Sequence, residues 1–219
     1  MIERMRNTLV LLLVVLTPIL SILHFWQLPA GIHLPVHWNI IGEPDFWVNK
    51  NTLFFFIIFF VVLQILFYVS YLFLPYLLKT CKANLTAAKN ITATMMLFCF
   101  GIQELVVLSP LLDKNIEIIR LTIMGIGVLF IEIGYIMPTL KPNQWIGIRL
   151  KWTLENPEIW SIVHRSASKL WIIGGGGIIV CSLLFPVSYL GTIILFSVFL
   201  LCSISCIQAW RLARQKQKE

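Results

Sequence analysis

Six long apolar runs, separated by short polar breaks, organise this chain. The runs are 8–25, 53–74, 91–108, 121–137, 170–185 and 187–207. A bilayer is crossed by about 20 apolar residues, so each run predicts one spanning helix. The third and fourth runs each carry a glutamate, Glu104 and Glu132. The last two are nearly continuous and are split by Phe185-Pro186. Proline lacks an N–H and clashes with the preceding turn, which predicts a tight helical hairpin there. Only two connections of real size remain, 26–52 and 138–169. No repeat and no low-complexity stretch interrupts the pattern.

Composition sharpens this into a class. The chain is 58% hydrophobic and 12% charged, about half the charge of an ordinary soluble domain. A soluble domain is excluded, and a polytopic membrane protein is expected. The net charge of +7 does not point to nucleic acid, because in such a chain the informative quantity is which side the cations occupy. Fourteen of the 17 Lys and Arg residues, Lys79, Lys216 and Lys218 among them, fall on one side of the predicted spans. Only Lys50, Lys114 and Arg120 fall on the other. The positive-inside rule then predicts an all-α transmembrane bundle of six spans with both termini cytoplasmic. Along the chain this divides into a two-span unit, 1–75, with an outer loop at 26–52, and a four-span unit, 76–219, with an inner loop at 138–169. The start carries Arg4 and Arg6 but no convincing small-residue cleavage site, and reads as an uncleaved first helix. The C-terminal RLARQKQKE reads as a solvated tail near anionic headgroups. The five cysteines show neither metal nor redox spacing, and no disulfide framework is expected.

The outer loop contains LPAGIHLPVHWNIIGEPDFWVNK. Ile41-Gly42 suits a positive φ, and Glu43-Pro44-Asp45 favours an extended-then-turn path. Trp26, Trp38 and Trp47 suit the headgroup belt. His24, His33, His37, Glu43 and Asp45 match no zinc spacing, so neither metal nor cofactor is expected. Two readings stay open: a polar cap over the bundle, and a recognition surface for an external ligand.

Polar groups inside the spans are Gln64, Gln103, Glu104 and Glu132. Ionisable groups at membrane depth are costly and are functional candidates by default. Glu104 lies near the outer end of its helix. Glu132 lies deeper, about 16 Å below Leu121 at 1.5 Å per residue, at a depth where Gln64 is a possible partner. Interhelical hydrogen bonding competes here with a proton or ion path. Gly174 to Gly177 read as a close-packing surface, because the lysine and hydroxyl of a phosphate loop are missing.

The inner loop, KPNQWIGIRLKWTLENPEIWSIVHRSASK, holds Trp145, Trp152 and Trp160 together with five cations. Gly147 permits a bend or a close approach. Asn156 is a good N-cap, Pro157 suits the first helical position and Glu158 favours the positive helix start. A helix is expected from there, with Trp160 and His164 sharing a face and a course that can run on into the fifth span. Interfacial anchoring by tryptophan and snorkelling cations is the alternative reading.

Asn143, Trp145, Gly147, Ile148, Arg149, Thr153, Leu154, Asn156, Trp160, His164 and Arg165 resemble the signature of the SdpI family, N-x-W-x-G-I-R-x-x-x-T-L-x-N-x-x-x-W-x-x-x-H-R. Residues 35–50 resemble the short domain of unknown function that often precedes it, P-x-H-W-N-x-x-G-x-P-D-x-W-x-x-K. With the helices, the resemblance covers nearly the whole chain. It implies a multi-pass protein of the bacterial cell membrane that gives immunity to a secreted peptide toxin. Some members also transduce a signal by holding a cytoplasmic transcriptional repressor at the membrane. On this reading Pro35, His37, Trp38, Asn39, Gly42, Asp45 and Lys50 face the ligand. Arg149, Trp152, Trp160 and His164 face a partner or fix helix packing. The other function class is a small-solute or proton-coupled transporter using Glu132 and Gln64. An enzyme is not expected, because neither His37 with Asp45 nor His164 with Glu158 completes a nucleophile, base and orienter.

Overall fold

The computed structural model describes residues 1–78, 81–111 and 117–216. Lys79, Lys114 and Lys218 of the charge count lie outside the described residues, as does the side chain of Lys216. The elements are α1 (Ile2–Gln27), β1 (His33–Trp38), β2 (Pro44–Asn49), α2 (Lys50–Leu78), α3 (Lys82–Leu108), α4 (Ile118–Ile136), a 3-10 turn (Met137–Thr139), α5 (Lys151–Glu155), α6 (Pro157–Leu184) and α7 (Val187–Lys216). Six of them, α5 apart, are long and apolar enough to cross a membrane. Only 17–39% of each apolar window is buried, so most of that surface is suited to lipid rather than water. The expected six-span helical bundle is present, and the helical hairpin falls at Phe185-Pro186 between α6 and α7.

One element was not expected. The 26–52 connection is a β-hairpin rather than a series of turns. His33 pairs with Asn49, Leu34 with Val48 and Pro35 with Trp47, and irregularities follow on either side of His37. Two-stranded hairpins are marginal alone. This one is held because Leu34 and Val48, facing each other across the ladder, are both buried against Leu28, Leu53, Ile57 and Val107. Asn49 then caps α2, its Oδ1 accepting from the Thr52 N–H at 2.9 Å, which passes the chain from strand to helix without a loop.

Contacts divide the chain into two compact units. The first comprises Met1–Phe73, Thr92–Thr122 and Phe185–Gly191. Besides the hairpin core it buries Val10, Leu13, Tyr71, Ala93 and Met96 of α1, α2 and α3. The second comprises Leu74–Ile91, Ile123–Leu184 and Thr192–Glu219. Its α4 and α6 approach through glycine. A Cβ on Gly175 would lie 2.5 Å from the Gly127 carbonyl oxygen, and one on Gly134 2.8 Å from that of Ser168. Gly174 packs on the Leu201 side chain of α7. The close-packing reading of Gly174 to Gly177 therefore holds for half of the run. Gly176 and Gly177 have nothing within 4 Å of a Cβ position, because successive helical residues point about 100° apart.

Candidate functional site

Two loops carry most of the residues singled out in the sequence, and the fold uses them differently. In the hairpin, the Asn39 side chain builds the turn. Its Oδ1 accepts from the N–H groups of Ile41 (3.1 Å) and Glu43 (2.9 Å), an Asx turn in which the side chain stands in for backbone. Gly42 adopts φ 79° and packs on Val187, leaving no room for a Cβ. The Lys50 ammonium donates to the Leu28 carbonyl and lies 5.1 Å from the centre of the Phe25 ring. That ties the base of the hairpin to the end of α1. Pro35 and Trp38 are half-buried in β1. What remains outward is an exposed His37–Asp45 pair, Nδ1 to Oδ1 at 2.6 Å, beside the exposed rings of Phe46 and Trp47. The sequence reading left Phe46 and Trp47 out of the candidate surface. Strand alternation alone would have turned one of them inward.

The 140–157 loop is folded by its own polar residues. Asn143 Oδ1 accepts from the N–H groups of Trp145 and Ile146, both at 2.8 Å. Asn84, at the start of α3, brackets Lys141 by accepting its N–H and donating to its carbonyl. Thr153 Oγ1 accepts from the Leu150 N–H at 2.9 Å and donates to the Ile148 carbonyl at 2.7 Å. Asn156 Oδ1 accepts from Glu158 and Ile159 N–H, the N-cap expected for α6. The centre is His164. The Ile148 N–H donates to its Nε2 at 3.0 Å, so Nδ1 carries the proton and donates to the Trp160 carbonyl at 2.8 Å. The Trp160 ring stacks on the imidazole at 4.0 Å and donates Nε1–H to the Leu140 carbonyl at 3.0 Å. Gly147, at φ 117°, lies against both rings, where a Cβ would strike His164. Trp160 and His164 are each 1% exposed, so the structure places them in helix packing rather than on a surface. Trp152 is half-buried beside Ile159 and Val163. Outward-facing members of the signature are Trp145, Arg149 and Arg165.

The polar groups within the spans are distributed differently from the sequence reading. Gln64, read from the sequence as a possible partner of Glu132, donates its Nε2–H to the Met96 carbonyl at 2.7 Å. Glu104, on the last turns of α3, joins a buried cluster with α1. Its Oε1 accepts from Ser21 at 2.7 Å and its Oε2 pairs with His24 Nδ1 at 2.8 Å, while Gln103 donates to the Ser21 hydroxyl. His24, first compared with the hairpin histidines, is thus the partner of a carboxylate 80 residues away. Glu104→Leu strips the acceptor from two donors at once and is expected to destabilise the protein by about 1–2 kcal/mol. Equilibrium unfolding in mixed micelles measures this, and an unchanged midpoint would show the cluster to be dispensable.

Six apolar helices with two internally hydrogen-bonded connections define a multi-pass helical membrane protein. Residues 139–208 match the SdpI/YfhL protein family, and that stretch takes in the signature loop, α5, α6 and most of α7. The chain is also 27% identical over 205 residues to the Immunity protein SdpI of Bacillus subtilis (strain 168), covering 94% of each chain. The family resemblance read from the sequence is thereby borne out. No solved structure matches the chain.

Proposed function

We propose that this chain is a membrane immunity protein that protects its cell from a secreted peptide toxin. The carrying observation is the end-to-end match to Immunity protein SdpI, 94% of each chain, which includes the hairpin as well as the 139–208 domain. In this reading both termini are cytoplasmic and the hairpin of the 1–75 unit faces outward. His37, Asp45, Phe46 and Trp47 meet the toxin, while Asn39, Gly42 and Lys50 hold the hairpin in shape. The 76–219 unit places Trp145 and Arg149 on the cytoplasmic side, as the contact for a repressor protein in signalling. The chain acts by binding and not as an enzyme.

The test expresses the full chain in a toxin-sensitive strain and challenges it with supernatant from a toxin-secreting one. The chain is expected to protect. Asp45→Ala with Trp47→Ala is expected to raise toxin sensitivity about tenfold at unchanged membrane abundance, the effect of removing an exposed contact worth about 1.4 kcal/mol. An unprotected strain with the protein present in its membrane would refute the proposal.

A further inference from the structure

Arg165 takes no part in folding the signature loop. It lies on an exposed face of α6, one turn before Lys169, and neither cation has a side-chain partner among the described residues. Together with Ser161, Ile162 and Ser166 they line a groove of about 400 Å³. The acidic residue of α6 is Glu158, two turns before Arg165, about 10 Å along the axis. The Ser166 hydroxyl is committed to Gln208 Oε1 at 3.0 Å, which leaves the Arg165 guanidinium, the Lys169 ammonium and the Ser161 hydroxyl as the donors of the groove, a set that suits a phosphate.

The same face changes character within one turn. At 3.6 residues per turn, Ile162, Ser166, Lys169, Ile173, Val180 and Leu184 line up. Past Lys169 the exposed side chains are apolar: Ile173 is 73% exposed, Val180 52% and Leu184 74%. Between Ile173 and Val180, Gly176 and Gly177 leave open space where side chains would stand. A phosphate-binding head thus continues into a shallow apolar trough on a helix suited to crossing a membrane. We propose that this face of α6 binds one anionic phospholipid. Its phosphate sits at Arg165 and Lys169, and an acyl chain runs past Ile173 and over the two glycines. An acidic protein segment fits the cations equally well but has no use for the trough, so the lipid is favoured. The proposal stands independently of the immunity reading.

The full-length protein in detergent is titrated with phosphatidylglycerol, phosphatidylcholine, inorganic phosphate and a Glu-rich peptide, and bound species are counted by native mass spectrometry. Phosphatidylglycerol is expected to bind at least tenfold more tightly than phosphatidylcholine. Arg165→Gln with Lys169→Gln is expected to abolish that preference, at about tenfold or more for two cations near a headgroup. The charge-matched pair Arg211→Gln with Arg214→Gln on α7 is expected to keep it within about twofold. Gly176→Leu with Gly177→Leu fills the trough and is expected to weaken phosphatidylglycerol several-fold. Equal binding of the two lipids, or equal loss in the α7 pair, would reduce the face to general electrostatics and overturn the site. Full competition by inorganic phosphate would overturn the lipid, and so would tighter binding of the peptide with the same dependence on Arg165 and Lys169.

Discussion

Trp160→Ala is expected to destabilise the protein by about 3–5 kcal/mol, the range for removing a large, fully buried aromatic ring. Three separate losses combine in that substitution. The indole fills space among Ala87, Ile136 and Leu140. Its Nε1–H ties α6 to the end of the 3-10 turn through the Leu140 carbonyl. Its face supports the His164 ring, which accepts from the Ile148 N–H. Without the stack the imidazole is free to rotate, and the loop loses its central acceptor. His164→Phe separates these effects, because it preserves the stack and removes the acceptor. It is expected to cost about 1–3 kcal/mol, the penalty of a buried N–H left unpaired. Unfolding of both variants in mixed micelles gives the comparison. A Trp160→Ala protein that unfolds with the parent would refute the structural role of the signature.

Gly175→Val is expected to cost about 3 kcal/mol, at the upper end for overpacking. The obstacle is backbone: the Gly127 carbonyl oxygen and the Ile131 N–H of α4 stand where the new side chain would go. A flexible side chain can swing away from such a clash, but a helix backbone moves only by separating the helices. Gly176→Val is one residue further and meets open space, so it is expected to change stability by less than about 0.5 kcal/mol. Thermal stability of the two variants in the same detergent decides the matter. Equal effects at the two positions would mean that α4 and α6 do not meet through Gly127 and Gly175.

Asn143, Gly147, Thr153, Asn156, Trp160 and His164 act on the backbone of their own loop or on one another. Their substitution is expected to act through folding and abundance. Trp145, Arg149 and Arg165 face outward, and their substitution is expected to leave the fold in place. The hairpin divides in the same way, with Asn39, Gly42 and Lys50 shaping it and His37, Asp45, Phe46 and Trp47 presented by it. A loss-of-function screen that ignores abundance would mix the two groups.

Features governed by short-range chemistry were legible in the sequence. The six spans follow from the length of the apolar runs. The α6 start follows from Asn156-Pro157, the break between α6 and α7 from Pro186, and the positive φ of Gly42 and the close approach at Gly147 from the lack of a Cβ. Each is a property of a residue and its immediate neighbours. The sequence also showed that Trp160 and His164 share a helix face, since four residues nearly complete a turn. It could not show whether that face is buried, which depends on the Leu140 carbonyl and the Ile148 N–H being brought to it. Pairing of the hairpin required Leu34 and Val48 to find the helix core. The Glu104 cluster joins α1 to α3 across 80 residues, and Gln64 of α2 donates to the Met96 carbonyl of α3. Nothing local distinguishes Gly175 from Gly176. Tertiary structure alone decided these, because a hydrogen-bond partner or a packed neighbour is selected by the position of another helix, and neither residue carries that information by itself.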